Sequence, residues 1–89
     1  MPDEEFKLLR LALLLNPEQG KVIPGSGGLR KLRWAGHGRG NSGGFRVIYY
    51  YIKESDLIFL LAIYPKSEQT DLSKAQLNLL RQVVQAEFK

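Results

Sequence analysis

The chain contains no cysteine, which excludes a disulfide framework, a thiolate nucleophile and the cysteine-based zinc sites. With a single histidine it also lacks the ligands for most other structural metal sites, and neither a metal nor a cofactor is expected. Long hydrophobic runs are missing too. The longest purely apolar run, Leu57 to Ile63, has seven residues, whereas a bilayer-spanning helix needs about 20. The opening Met1-Pro2-Asp3-Glu4-Glu5 is acidic and lacks the basic leader of a signal peptide. These absences describe a soluble, cytoplasmic chain without a membrane partner.

The most informative absence is of negative charge. Between Glu18 and Glu54 there is no acidic residue, while Lys21, Arg30, Lys31, Arg33, Arg39, Arg46 and Lys53 all fall there. The net charge of +4 is thus unevenly spread, and the flanks that hold all nine acids are net negative. A middle of one sign suggests a surface that faces a polyanion. The bases are interleaved with Leu29, Leu32, Trp34, Phe45, Val47 and Ile48, so they are mounted on folded structure rather than on a basic tail. The bland alternative is a solvated cationic face that aids solubility.

At 89 residues, with 44% hydrophobic and 25% charged, the chain has the composition of one globular domain spanning residues 1–89. Pro2-Asp3-Glu4-Glu5 reads as a helix start, with Asp3 as the cap, and the Asn16-Pro17 pair ends that helix. Six leucines between residues 8 and 15 exceed what one narrow face needs. The helix is therefore expected to be covered on two sides or to offer a surface to another chain. Residues 20–28 read as a turn-rich connector and residues 29–34 as a short strand. In that strand Arg30, Leu32 and Trp34 share one face, and Leu29, Lys31 and Arg33 share the other. After a glycine-rich loop, residues 45–53 form the clearest strand, and residues 57–64 form a third, expected to lie centrally with both faces covered. Ser73-Lys74-Ala75-Gln76 fits a capping box, with Leu72 and Leu77 as a hydrophobic staple. The helix it opens carries an apolar face of Leu77, Leu80, Val84 and Phe88. The expected architecture is α+β: an antiparallel or possibly mixed sheet of three or four strands with N- and C-terminal helices packed on it.

Gly38-Arg39-Gly40-Asn41-Ser42-Gly43 matches G-x-G-x-x-G, but a β-rich run follows where a dinucleotide-binding helix would have to start. It reads as a loop in which Arg39 and backbone N–H groups can touch phosphate. His37 has no acid nearby in sequence to complete a hydrolytic triad. Tyr49, Tyr50 and Tyr51 cannot all share a face, so core and surface filling is a better reading for them than a base-stacking platform. The chemistry that remains is phosphoryl transfer assisted by clustered cations. Arg46 is the informative residue, because a charge just inside an apolar strand is costly unless it is paired or faces a wet concavity. Snorkelling from the strand end is an equally weighted alternative for it. Hairpin pairing would bring Arg33, Arg46, Tyr64 and Lys66 to one end of the sheet.

The succession of GLRKLRW, the glycine-rich loop, GGFRVIYYY and YPKSE resembles the RelE/ParE superfamily of bacterial toxins over residues 2–88, most of all its HigB-type branch. The resemblance implies a RelE-like fold and a toxin of a type II toxin–antitoxin pair. Such a toxin binds the ribosomal A site and cuts translated mRNA by attack of a ribose 2′-OH on the adjacent phosphate. Carried onto this chain, Arg30, Lys31 and Arg33 would hold the RNA backbone, with Arg39 beside them. Arg46 would stabilise the phosphate, Lys66 would take the late basic catalytic position, and Tyr64 would orient a base. A neighbouring antitoxin is implied, helix-turn-helix and HigA-like, through which the pair would bind operator DNA. Set beside that resemblance, the opening Met1-Pro2-Asp3-Glu4-Glu5 is expected to lack the strand with which family members usually begin. Two other functions fit the resemblance: a ParE-like inhibitor of DNA gyrase, and an inactive or truncated relative that only binds its antitoxin.

Overall fold

A computed structural model describes residues 2–35, 44–69 and 71–88. The elements run α1 (Asp3–Leu15), β1 (Lys21–Val22), β2 (Leu29–Trp34), β3 (Phe45–Ile52), β4 (Leu57–Pro65) and α2 (Lys74–Phe88). All strand pairs are antiparallel, in the order β1-β2-β3-β4. Among the described residues no helix is long and apolar enough to cross a membrane.

α1 begins one residue earlier than a cap at Asp3 requires. Pro2 is the N-cap, and with no side-chain acceptor it makes no cap hydrogen bond, so Asp3, Glu4 and Glu5 all sit in the first turn, where the helix dipole favours them. The helix stops at Asn16 (φ −147°, ψ 82°), because the following proline disfavours helical geometry at the residue before it. At the other end of the chain the capping box forms: Ser73 Oγ accepts from the Gln76 N–H at 3.1 Å, and Gln76 Oε1 accepts from the Ser73 N–H at 2.9 Å. Leu72 and Leu77 both pack on the same buried cluster, completing the staple.

The two helices lie on opposite faces of the sheet, each over its own core. Leu9 and Leu13 of α1 pack with Val47 and Tyr49, flanked by Leu32, Trp34, Ile58, Leu60 and Ile63. Val84 of α2 packs with Leu29 and Ile48, flanked by Tyr50, Leu61, Ala62 and Tyr64. Strand alternation alone would put neighbours on opposite faces, yet Leu61 and Ala62 both join the α2 side. The register explains this: Ile48 faces Ala62 while Tyr49 faces Leu60, leaving Leu61 as the extra residue of a bulge.

Two expectations are corrected. β4 is covered on both faces, as its apolar run requires, but among the described residues it is an edge strand; β2 and β3 are the strands paired on both sides. An apolar run reports burial of the two faces and is silent about the hydrogen-bonding edge. The turn-rich stretch also contains a strand, β1, whose Lys21 and Val22 pair with Lys31 and Arg30. Two residues are too few to carry a periodic signal. The return to β2 is fixed by buried Ser26, whose Oγ donates to Ile23 O (2.6 Å) and accepts from the Leu29 N–H (3.0 Å). α1 is covered on its sheet side alone among the described residues, with Leu11, Leu14 and Leu15 exposed on the remainder.

Candidate functional site

The α2 face of the sheet carries a row of cations at the end of the strands where β2 finishes and β3 starts. Arg33 pairs with Arg46 across β2 and β3, and Arg46 pairs with Tyr64 across β3 and β4. The chain then turns so that the Lys66 N–H donates to Gly44 O at 3.1 Å, one step beyond the Phe45–Pro65 pair. The Lys66 stem packs beside Gly44, its Cδ at ordinary contact distance (3.6 Å) from where a Cβ would stand. Arg33, Arg46, Tyr64 and Lys66 are thereby gathered at one end of the sheet, as hairpin pairing of the sequence suggests.

Two concavities meet at Arg33. One, of about 510 Å³, is lined by Gln19, Lys21, Lys31, Leu32, Arg33 and Arg46. The other, of about 390 Å³, is lined by Arg33, Ala35, Gly44 and Lys66. No acidic residue lines either among the described residues. Arginines placed directly opposite one another on neighbouring strands repel. Neither Arg33 nor Arg46 has an ion-pair partner among the described residues, and the buried Arg46 Nε–H makes no hydrogen bond there. A buried, unused charged donor in a cationic groove is suited to an anion arriving from outside.

Lys31 shares this face and, among the described residues, is the one cation of the groove with a carboxylate, its Nζ lying 3.4 Å from Asp71 Oδ1. Burial pushes the Tyr64 phenol above its ordinary value of 10.0; Asp71 adds to the rise and Arg46 opposes it. At neutral pH Tyr64 therefore keeps its proton and presents a hydrogen-bond donor.

Arg30 is placed elsewhere. It lies on the α1 face, where its guanidinium donates to Gly20 O (2.8 Å) and Glu18 O (3.2 Å) and pairs with the Glu18 carboxylate at 3.6 Å. Arg39 and His37 lie outside the described residues, with the rest of residues 36–43. The tyrosine run divides as alternation requires: Tyr49 is fully buried under α1, and Tyr50 packs toward α2. Lys21, Gln19 and Asp71 were not singled out by sequence reasoning. Lys21 was visible only as one of the bases in the acid-free interval. Its place opposite Lys31 depends on a hairpin that two strand residues do not announce.

The fold and the groove define a small α+β domain with a cationic end to its sheet. The chain belongs to the RelE toxin family: residues 15–89 match the RelE toxin of the RelE/RelB toxin–antitoxin system. It is accordingly a toxin of a toxin–antitoxin system, and membership implies an antitoxin of the RelB type as its partner.

Proposed function

We propose that this toxin is a ribosome-dependent mRNA endonuclease whose reacting phosphate sits between Arg46 and Lys66. The observation that supports it best is the unpaired Arg33–Arg46 couple, aligned with Tyr64 and flanked by Lys66, in a groove free of acids among the described residues. In the reaction the ribose 2′-oxygen attacks the adjacent phosphorus and the bond to the 5′-oxygen breaks. The 2′-hydroxyl proton is lost and the leaving oxygen gains one, which yields a 2′,3′-cyclic phosphate and a 5′-hydroxyl end. Negative charge grows on the phosphoryl oxygens at the transition state, and preorganised cations stabilise it there more than in the ground state. Arg46 and Lys66 are assigned that work. Tyr64, kept protonated, donates a hydrogen bond that orients the substrate. Lys31 and Arg33 hold the RNA backbone, with Arg39 of the glycine loop as a further contact. Arg30 acts indirectly, by fastening residues 18–20 with hydrogen bonds that leave its guanidinium committed.

The HigB-type branch, the ribosomal A site as the place of cutting, a cytoplasmic setting, and a helix-turn-helix antitoxin that takes the complex to operator DNA belong to the same reading. The test is a cell-free translation reaction with the 5′ ends of the message mapped. In-frame cuts that disappear when ribosomes are withheld are the expected result, and an intact message in the presence of active ribosomes refutes the reading. Arg46→Ala and Lys66→Ala should each slow cutting by about 100- to 1,000-fold, the scale of losing one transition-state donor. Antitoxin capture in a pull-down should persist for both variants.

A further inference from the structure

The groove contains a second like-charge couple, one member of which, Lys21, has no part in the reading above. Lys21 of β1 lies directly opposite Lys31 of β2, one strand repeat from the Arg33–Arg46 couple. Two successive cation pairs with no acid between them oppose folding, since like charges facing each other across strands repel. One such pair serves a single phosphate; two in line describe a polyanion laid along β2. Positions 31 and 33 are separated by about 6.6–6.8 Å along the strand, a step comparable with that between neighbouring phosphates of an extended single strand.

Lys21 is also held in place with unusual care for an exposed residue. The preceding Gly20 is gripped from two sides, its N–H donating to Tyr49 Oη at 2.8 Å and its carbonyl accepting from Arg30 at 2.8 Å. A Cβ at Gly20 would stand 2.7 Å from the Tyr49 ring, so only glycine lets the chain pass this close. Lys21 has no ion-pair partner among the described residues, whereas Lys31 leans on Asp71.

Resting on the proposed nuclease reading and deepening it, we infer that Lys21 and Lys31 form a second phosphate subsite, binding the RNA backbone one phosphate away from the bond that is cut. Asp71 is the internal anion that the RNA phosphate displaces from Lys31. Substrate therefore enters along β2 rather than across the sheet, and β1 exists to bring Lys21 to its partner.

The test measures binding of the whole protein to a short single-stranded RNA with 2′-O-methyl sugars, which cannot be cut, over a series of salt concentrations. Each phosphate neutralised by a side chain adds about 0.7 to the slope of log affinity against log salt. Lys21→Ala should weaken binding several-fold and flatten that slope by about 0.7, while Lys21→Arg restores it. Asp71→Asn should strengthen binding. Replacing one phosphate at a time by an uncharged methylphosphonate should reveal a position that matters to the wild type and is silent in Lys21→Ala. The thermal midpoint of Lys21→Ala should be no lower than that of the wild type, because the side chain is exposed and its removal relieves the repulsion from Lys31. If Lys21→Ala equals the wild type in affinity and slope while Arg46→Ala weakens binding, the second subsite is wrong and the first stands. If the wild type shows no salt-dependent binding, the second subsite is refuted, while the nuclease reading stands or falls with the translation assay.

Discussion

Tyr49 illustrates how one side chain can serve a core and a loop at once. Its ring is fully buried against Leu9 and Leu13, and its hydroxyl donates to Pro17 O and accepts from the Gly20 N–H, both at 2.8 Å. Tyr49→Phe keeps the ring but strands a buried N–H. A loss of about 1–3 kcal/mol is expected, read as a lowered urea midpoint with an unchanged slope. Burial, the largest influence, raises the phenol's affinity for its proton; the Gly20 N–H and Arg30 partly offset it. The folded state therefore holds this proton more tightly than the unfolded chain does. Its contribution to stability is complete below pH 10, the ordinary tyrosine value, and is lost as pH climbs through the raised one. Stability of the wild type should fall with alkalinity above that point, and Tyr49→Phe should flatten the fall. At this scale the sequence was only half readable. Alternation set Tyr49 on the face opposite Tyr50 without saying which face was core, and the hydroxyl's acceptor lies 32 residues away at Pro17, beyond any local pattern. Arg46 was readable as a charge needing a concavity, while the direct opposition of Arg33 emerges only from the pairing register.

Among the elements, α2 is the most fully written in its own residues. Its cap, its staple and its apolar face at Leu77, Leu80 and Val84 all form as the local spacing indicates; the Phe88 side chain lies outside the described residues. The capping box also extends outward, for Gln69 Nε2 donates to Gln76 Oε1 at 2.7 Å and to Asp71 O at 2.7 Å. Ser73→Ala removes the reciprocal partner of Gln76 and should cost about 0.5–2 kcal/mol by chemical denaturation. Because the same hydrogen bonds hold the segment carrying Asp71, this variant should also change RNA affinity, unlike a purely helical lesion. β1 and β4 resisted the sequence for opposite reasons. β1 is too short to show a period, and β4 is so uniformly apolar that its burial hid its position in the sheet.

For the molecule as a whole, the division into two cores gives β3 a special standing. Val47 and Tyr49 belong to one core and Ile48 to the other, so β3 cannot be exposed without opening both. Native-state hydrogen exchange should find its amides the slowest, exchanging only through global unfolding, with those of β1 released first. The groove and the two cores are thereby joined along one strand. Arg46, near its start, faces the groove, and the residues that follow tie the helices together.

The opposite margin of the sheet has a different consequence. β4 offers nine residues without a charge, LIFLLAIYP, and among the described residues no strand occupies its outer side. Charged residues are a common means by which sheet margins repel their own kind, and this one carries none. The purified toxin should accordingly show light scattering that climbs with concentration and with time on the bench. Leu57→Lys, at a half-exposed position on that margin, should suppress the climb while leaving the proposed message cutting intact. The amount of this protein that stays in solution is thus governed by the strand farthest from Lys21, and a preparation that clouds has lost colloidal stability before it has lost its fold.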